Sequence, residues 1–186
     1  QSSQDKLINI ITFQELKFLE RVVLPYERLE NIRKWILIGF WLGQRVSDLL
    51  RVTKLDIRAA PNGGVYVDIV QKKTRTAVTV GIIDPLVVTL IKHHFPRPIG
   101  DRCFNRYMKE VLEIAGINEE VKGFMYNPKT KRKEVGLFPK YKEISSHDLR
   151  RSFATNFFGK IETPILMNMT GHSRETTFLS YIGRNN

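Results

Sequence analysis

The segment from His147 to Phe158, HDLRRSFATNFF, carries charge where a helix needs apolar contact. At about 100° per residue, Arg150 and His147 fall inside the arc filled by the apolar side chains Leu149, Phe153, Ala154, Phe157 and Phe158. The opposite arc holds the polar side chains Asp148, Arg151, Ser152, Thr155 and Asn156. A guanidinium on the apolar side is costly unless an anion meets it, and its fork of donors suits a phosphate or a carboxylate. Arg150 therefore needs either a core Asp or Glu, or an external anion.

Other residues with chemical potential have structural explanations when each is taken alone. Arg45 and Asp48 are three residues apart at the edge of a short predicted helix, and this spacing predicts a surface ion pair. His172 follows Gly171, and Tyr181 lies nine residues later. A single histidine or tyrosine carries no functional conclusion by itself.

Basic residues are concentrated in two predicted turns. The stretch QKKTRT contributes Lys72, Lys73 and Arg75, and the second turn runs from Lys129 to Lys133. A cationic turn is either a solvated surface or a contact to a DNA backbone. The sequence leaves both interpretations open for each turn.

The overall composition favours a polyanionic partner. Thirty Lys and Arg against nineteen Asp and Glu give a formal net charge of +11, which makes nucleic acid the expected partner. A chain of 186 residues with 42% hydrophobic residues is an ordinary folded domain, and disorder is excluded. We expect one domain over residues 1–186.

Cysteine content and hydropathy exclude further classes. The single cysteine, Cys103, forms no internal disulfide or multi-cysteine zinc site, which favours an intracellular protein. The longest uncharged apolar run, residues 35–42, has eight residues, whereas a membrane span needs roughly 20. No membrane association is expected. The opening residues QSSQDK lack the features of a signal peptide and indicate a fragment boundary.

Capping and periodicity signals predict a mainly helical α+β fold with a small three-stranded antiparallel sheet. Thr12 and Glu15 have the capping-box spacing at the start of a helix over residues 12–22. A helix over residues 28–42 is apolar all round and ends at Gly43. Further helices are predicted over residues 44–51, 84–94, 101–115 and from 146 to the chain end, with breaks at Gly159, Pro164 and Gly171.

The strand signals lie in the middle of the chain. Residues 65–70 and 77–83 are rich in β-branched residues and form a predicted hairpin whose tip is the first basic turn. A turn at residues 62–64 adds a third strand before them. Residues 124–138 indicate either a second hairpin or a mobile basic loop.

Five short motifs follow one another along the chain. They are G-x-R-V-S-D-L at 43–49, Q-x-K-T at 71–74, H-x-L-R-R at 147–151, G-H at 171–172 and a tyrosine at 181. In this order the chain resembles the tyrosine recombinase family, the phage-integrase type of DNA breaking and rejoining enzyme, from about residue 12 to 182. H-x-L-R-R with the later G-H and tyrosine is the specific part, and Q-x-K-T alone is a weak signal.

The resemblance implies the catalytic domain of a site-specific recombinase or integrase, with six catalytic residues: Arg45, Lys73, His147, Arg150, His172 and Tyr181. The arginines would neutralise the phosphodiester, and Tyr181 would form a 3′-phosphotyrosyl link after passing its proton to His147. Lys73, preferred to Lys72 because it directly precedes Thr74, would protonate the departing 5′ oxygen. His172 would donate a hydrogen bond to a non-bridging oxygen.

The resemblance also implies the partners. Covalent capture conserves the bond energy, so neither ATP, another cofactor nor a metal is required. The expected partners are double-stranded DNA and other recombinase subunits, as a tetramer on paired sites in the full-length protein, in the bacterial cytoplasm on DNA. Candidate DNA-binding residues are Lys72, Arg75, Lys129, Lys131, Arg132, Lys133 and Arg151.

The sequence departs from the family pattern at three neighbours of the motifs. Asp48 stands where Glu is commoner, Gln44 where an apolar residue is usual, and Thr170 where Leu usually precedes G-H. We expect this chain to correspond to the catalytic domain without the family's N-terminal DNA-clamping domain. Two alternatives remain open, a type IB topoisomerase and a DNA-binding module with a vestigial site. Because Tyr181 lies near the chain end, we expect its segment to be displaced until DNA arrives.

Overall fold

A computed structural model describes residues 7–184 as a mainly helical α+β fold. The helices are α1 Phe13–Arg21, α2 Glu27–Leu42, α3 Val46–Leu49, α4 Pro85–His93, α5 Asp101–Ile114, α6 Lys140–Glu143, α7 Ser146–Phe157, α8 Thr163–Met169 and α9 Glu175–Tyr181, with a 3-10 turn at Lys54–Asp56. The strands are β1 Ile57–Ala59, β2 Val65–Val70, β3 Ala77–Ile82, β4 Glu120–Asn127 and β5 Arg132–Pro139. The predicted fold class is confirmed.

The three-stranded sheet presents the first basic turn. Strands β1, β2 and β3 pair antiparallel in that order, with Val67 opposite Val80. Alternate residues of β2 and β3 face the core, because side chains of a strand point to opposite faces in turn. The loop between the two strands therefore projects from the end of a firmly anchored hairpin.

Helix α2 forms the centre of the core. Nine of its sixteen residues are buried, and it packs against α1, α4, α5 and α7. The helix ends at Gly43, which adopts the left-handed conformation with φ of 66°. A Cβ atom at this position would lie 2.1 Å from the ring of Phe153 on α7. Glycine thus allows the α2–α3 turn to approach α7 closely, and this approach brings the first motif beside the third.

Local signals located most elements correctly. Thr12 and Glu15 make the predicted capping box at α1. The stretch from 124 to 138 is the predicted second hairpin, formed by β4 and β5, rather than a loop. The short helix α6 was missed. Pro164 lies in the first turn of α8 instead of breaking a helix, since proline's missing N–H has no partner to lose there.

The predicted division of α7 into an apolar and a polar face is wrong at Ser152. The sequence places it on the polar arc, yet its side chain is fully buried. Its hydroxyl oxygen accepts a hydrogen bond from the Ile11 N–H at 2.8 Å, and Asn156 donates to the Ile11 carbonyl at 2.8 Å. The segment before α1 therefore covers the polar arc of α7, and α7 is enclosed on both sides.

A search of residues 7–184 finds no helix with both the length and the apolar character needed to cross a membrane.

Replacing Gly43 by alanine tests the close approach of the α2–α3 turn to α7. We expect Gly43→Ala to lower the free energy of unfolding by about 3 kcal/mol, from the left-handed backbone and the clash with Phe153. Gly116→Ala is the matched control, because φ is 80° there and no atom lies within 4 Å of the added Cβ. It should cost only about 1 kcal/mol. Urea denaturation measures both; equal losses would show that the contact with Phe153 is unimportant.

Candidate active site

Two imidazole rings, one from α7 and one from the turn between α8 and α9, pack against the side chain of Tyr181. The Tyr181 ring centroid lies 5.4 Å from that of His147 and 4.8 Å from that of His172. The Tyr181 hydroxyl lies 3.4 Å from the backbone carbonyl oxygen of His147. Tyr181 thus forms one cluster with His147 and His172, whereas the sequence analysis expected its segment to be displaced from the site. Its position as the last residue of α9 packs it back onto α7.

Arg150 is a buried cation that carbonyl oxygens hold in place. It is 3% exposed, and its guanidinium donates to the carbonyl of Gly43 at 3.4 Å and to that of Thr170. Among the described side chains, no carboxylate forms a salt bridge with it. Burial and then the nearby charge of Arg45 lower its pKa from 12.5 to about 10. The core Asp or Glu that the sequence allowed is therefore not its partner.

Arg45 places a second guanidinium beside the first. It occupies the N-cap position of α3, and its Nη1 is buried without a hydrogen-bond partner in the described part of the chain. Its charge is among the causes that lower the pKa of Arg150, His147 and His172. A buried donor without a partner is costly, so this atom is available to an incoming acceptor.

The predicted ion pair between Arg45 and Asp48 does not form. Asp48 is 1% exposed, and one of its carboxylate oxygens lies 3.0 Å from Arg51 Nη2 and accepts the backbone N–H of Lys72 at 2.9 Å. Arg45 and Asp48 are three residues apart, as an ion pair on a helix requires, but the Asp48 carboxylate points toward the loop between β2 and β3. Asp48 is thus an anchor of that turn, a role the sequence analysis missed.

His172 is held by a hydroxyl that already has an acceptor. Thr170 Oγ1 lies 2.7 Å from the Leu166 carbonyl oxygen and 2.9 Å from His172 Nδ1. Because the single hydroxyl proton goes to the carbonyl, this network assigns a proton to Nδ1 and a lone pair to Nε2. Burial, Arg150 and Arg45 lower the pKa of His172 to about 4. The ring is therefore neutral at neutral pH, and donation from Nε2 requires an added proton.

His147 and Tyr181 respond in opposite ways to partial loss of water. Desolvation and then the charge of Arg151 lower the pKa of His147. Desolvation raises the pKa of Tyr181, whereas Arg150 and Arg151 oppose that rise. Desolvation disfavours the charged form of each group, which is imidazolium in one and phenolate in the other. A neutral imidazole thus lies next to a protonated phenol.

Arg151 belongs to this cluster, although the sequence analysis assigned it to DNA contact. Its guanidinium carbon lies 4.8 Å from the Tyr181 ring centroid, and it forms a 3.1 Å ion pair with Asp148. A cation over an aromatic face is attracted by the ring. The side chain therefore covers one face of the predicted nucleophile.

Lys73 is the one predicted catalytic residue without contacts to the cluster. It is exposed in the β2–β3 turn, and its side chain makes no hydrogen bond or salt bridge within residues 7–184. The next residue, Thr74, lines a cavity of about 740 Å³ together with Gly171 and His172. The loop between β2 and β3 thus lies next to His172, and the Lys73 side chain on this loop is exposed.

The remaining basic candidates lie on the surface. Two of them, Arg75 and Lys131, sit in the left-handed region with φ of 57° and 54°, one in each hairpin turn. The others are also exposed: Lys72, Lys129, Arg132 and Lys133. A non-glycine residue at positive φ is uncommon and is found where surrounding structure imposes it. Both turns present their charges to solvent.

No group of three or more His, Cys, Asp or Glu residues able to hold a metal ion is found in the described range.

Solved structures with the same architecture are recombinases and integrases. XerH site-specific recombinase, bound to its palindromic difH substrate after cleavage, matches 97% of this chain and 51% of its own, with a TM-score of 0.69 and 18% identity. A lambda integrase dimer bound to a COC′ core site matches 98% and 49%, with a TM-score of 0.61 and 17% identity. The chain has the tyrosine recombinase catalytic fold.

A transposon integrase extends the comparison. The Tn1549 integrase in complex with circular intermediate DNA matches 97% of this chain and 62% of its own, with a TM-score of 0.53 and 16% identity. No protein-family model and no curated protein sequence matches the chain. The chain spans about half the length of the XerH and lambda integrase chains that it matches.

A proton titration tests the electrostatics of the cluster. We expect the His172 ring signal in NMR to titrate near pH 4, against an ordinary pKa of 6.5. Between pH 4 and 6.5, His172 is protonated in the unfolded chain but not in the folded one. The free energy of unfolding therefore falls as the pH is lowered from 6.5 toward 4. Arg45→Gln should raise the midpoint, and Arg58→Gln, on β1, should leave it unchanged. A wild-type midpoint at 6.5 would contradict the proposed electrostatic environment.

Proposed function

We propose that this chain is the catalytic domain of a site-specific DNA recombinase or integrase in which Tyr181 attacks a scissile phosphodiester. The observation that carries the proposal is the pair of neighbouring guanidiniums, Arg45 and Arg150, which have no carboxylate partner among the described residues. The charge of Arg150 also acts on Tyr181. A phosphate is an anion whose oxygens match such donors in charge and geometry. The recombinase fold supports the same conclusion.

The two guanidiniums bind and activate the phosphodiester. Displacement at phosphorus adds negative charge to the non-bridging oxygens, and donors that are already in place stabilise that charge without reorganisation. Arg150 is oriented beforehand by the carbonyls of Gly43 and Thr170. Arg45 offers its unpartnered Nη1. His172 adds a hydrogen bond to an oxygen once the bound anion favours a proton on Nε2.

The nucleophile loses its proton to His147. Tyr181 has a raised pKa, so it enters the reaction as a phenol and needs a base. His147 has a lowered pKa, so its imidazole is unprotonated at neutral pH and able to accept. As the proton moves to His147, the Tyr181 oxygen bonds to phosphorus. The bound phosphate and the neighbouring arginines stabilise the developing charge.

The leaving strand departs with a proton from Lys73. The bond between phosphorus and the 5′ oxygen breaks, and the lysine ammonium donates its proton to that oxygen. The products are a 3′-phosphotyrosyl link and a free 5′ hydroxyl. Attack on this link by the 5′ hydroxyl of another strand reverses each proton transfer and completes strand exchange without ATP or a metal ion.

Double-stranded DNA and further subunits complete the proposed reaction. XerH was solved with its difH substrate, and lambda integrase was solved as a tetramer bound to a Holliday junction. The net charge of +11 and the exposed basic turns suit a DNA backbone. We propose that the full-length protein, of which this chain would be the catalytic domain, acts as a tetramer on DNA in the bacterial cytoplasm.

Removal of the nucleophilic hydroxyl tests the proposal directly. We expect the chain to form a covalent adduct with a nicked suicide DNA substrate, and Tyr181→Phe to abolish it while leaving DNA binding intact. A denaturing gel with labelled DNA measures the adduct. Tyr126→Phe, an exposed tyrosine on β4, is the matched control and should form the adduct normally. An adduct that survives in Tyr181→Phe would show that another residue is the nucleophile.

Loss of the buried guanidinium should separate chemistry from binding. We expect Arg150→Ala to slow adduct formation by about 10²–10³-fold, as for other transition-state donors, with DNA affinity nearly unchanged. Gel-shift and single-turnover cleavage assays measure the two quantities. Arg58→Ala, an exposed arginine paired with Asp68, should change neither. Equal losses of affinity and rate would make Arg150 a backbone anchor.

A further inference from the structure

We infer that Gln44 and Gln71 form a positioning pair that holds the Lys73 turn in register with the rest of the cluster. The inference rests on the proposed function, because it assigns these amides to the general-acid step. Both side chains are buried, with 2% and 0% exposure, and none of their hydrogen bonds within residues 7–184 goes to Tyr181. They act through the segments that they join.

The two amides form one closed hydrogen-bond network. Gln71 Nε2 donates to Gln44 Oε1 at 2.9 Å and to the Met169 carbonyl at 3.1 Å. Gln44 Nε2 donates to the same Met169 carbonyl at 2.8 Å and to that of Leu42 at 3.1 Å. Thr74 donates its hydroxyl proton to Gln71 Oε1 at 2.9 Å. Every N–H of both amides is used, and each amide oxygen accepts one bond.

The network connects the three segments that bear Arg45, Lys73 and His172. Gln44 immediately precedes Arg45, and Gln71 lies two residues before Lys73. Met169 precedes Thr170, whose carbonyl orients Arg150 and whose hydroxyl contacts His172. A shift of any one segment would break hydrogen bonds of the other two. Because a buried amide without partners is costly, the network resists such a shift.

Close packing at the Gly171 turn adds a steric restraint. Gly171 adopts φ of 60°, and a Cβ there would lie 2.6 Å from Gln71 Oε1. The turn before His172 thus rests directly on the glutamine. On the other side, Asp48 holds the N–H of Lys72. The lysine turn is fixed at two points, and the Gln44–Gln71 pair is the one that links it to the histidine.

Substituted DNA distinguishes positioning of the general acid from general weakening of the fold. A suicide substrate with sulfur at the 5′ bridging position releases a thiolate. This leaving group needs no proton, because a thiol has a pKa of only about 8.5. We expect the Gln71→Leu variant to form the adduct at least 10-fold more slowly than the wild type on the ordinary substrate. On the sulfur substrate its rate should be close to that of the wild type. Lys73→Ala should give the same pattern. DNA affinity should change less than 2-fold.

A double substitution tests whether the two amides act as a pair. Gln44→Leu with Gln71→Leu removes both partners together, so neither amide is left buried and unpaired. If they act as one unit, the double variant should be no slower than Gln71→Leu on the ordinary substrate, and sulfur should rescue it as well. Thermal unfolding confirms that each variant is folded. Gln14→Leu, at an exposed position of α1, is the control and should match the wild type on both substrates.

The outcomes separate the inference from the function on which it rests. Equal slowing of Gln71→Leu on both substrates, or no slowing on either, would overturn the positioning role while the wild-type adduct still supports the recombinase. Multiplicative losses in the double variant would show that the amides act independently and would overturn the pair. A wild-type chain that forms no adduct with either substrate would overturn the proposed function, and the inference with it.

Discussion

Two arginine side chains share one partly buried space without a neutralising carboxylate, and the rest of the cluster depends on this imbalance. Carbonyl dipoles of Gly43 and Thr170 orient Arg150 but carry no net charge. Arg45 approaches it with a buried donor that has no partner in the described range. Repulsion and desolvation both disfavour this arrangement, and an anion between the guanidiniums would relieve both. The fold thus maintains a site whose most favourable occupant is negatively charged.

The same charges determine the protonation of their neighbours. Burial and the arginines keep His172 neutral, and desolvation together with Arg151 does so for His147. Desolvation and positive charge act on the pKa of Tyr181 in opposite directions, and desolvation prevails. A bound phosphodiester would add negative charge next to all three groups. Tyr181, His147 and His172 are therefore coupled through one electrostatic environment rather than acting as independent side chains.

Polar contacts between distant segments hold the lysine turn beside this environment. Gln71 reaches Gln44, 27 residues away, and the Met169 carbonyl, 98 residues away. Asp48 binds the Lys72 N–H from the opposite side, 24 residues away. Patterns within a few residues do not reveal hydrogen bonds between such distant segments. Q-x-K-T is therefore a weak signal in the sequence, although its Gln71 is fully buried. The departure at Gln44 is explained by the same contact.

Local rules were sufficient for most of the secondary structure, although they missed the short helix α6. The Thr12 cap, the all-round apolar helix ending at Gly43 and the alternating strands are set by neighbours within a few residues, and motif order was sufficient to nominate the six chemical groups. Tertiary structure alone decided the partners: Asp48 turns to the lysine turn, Ser152 is buried beneath the segment at Ile11, and Arg150 is held by carbonyls. The physical reason is that a polar side chain bonds to whichever distant backbone the packed core brings within about 3 Å, and no local pattern encodes that meeting.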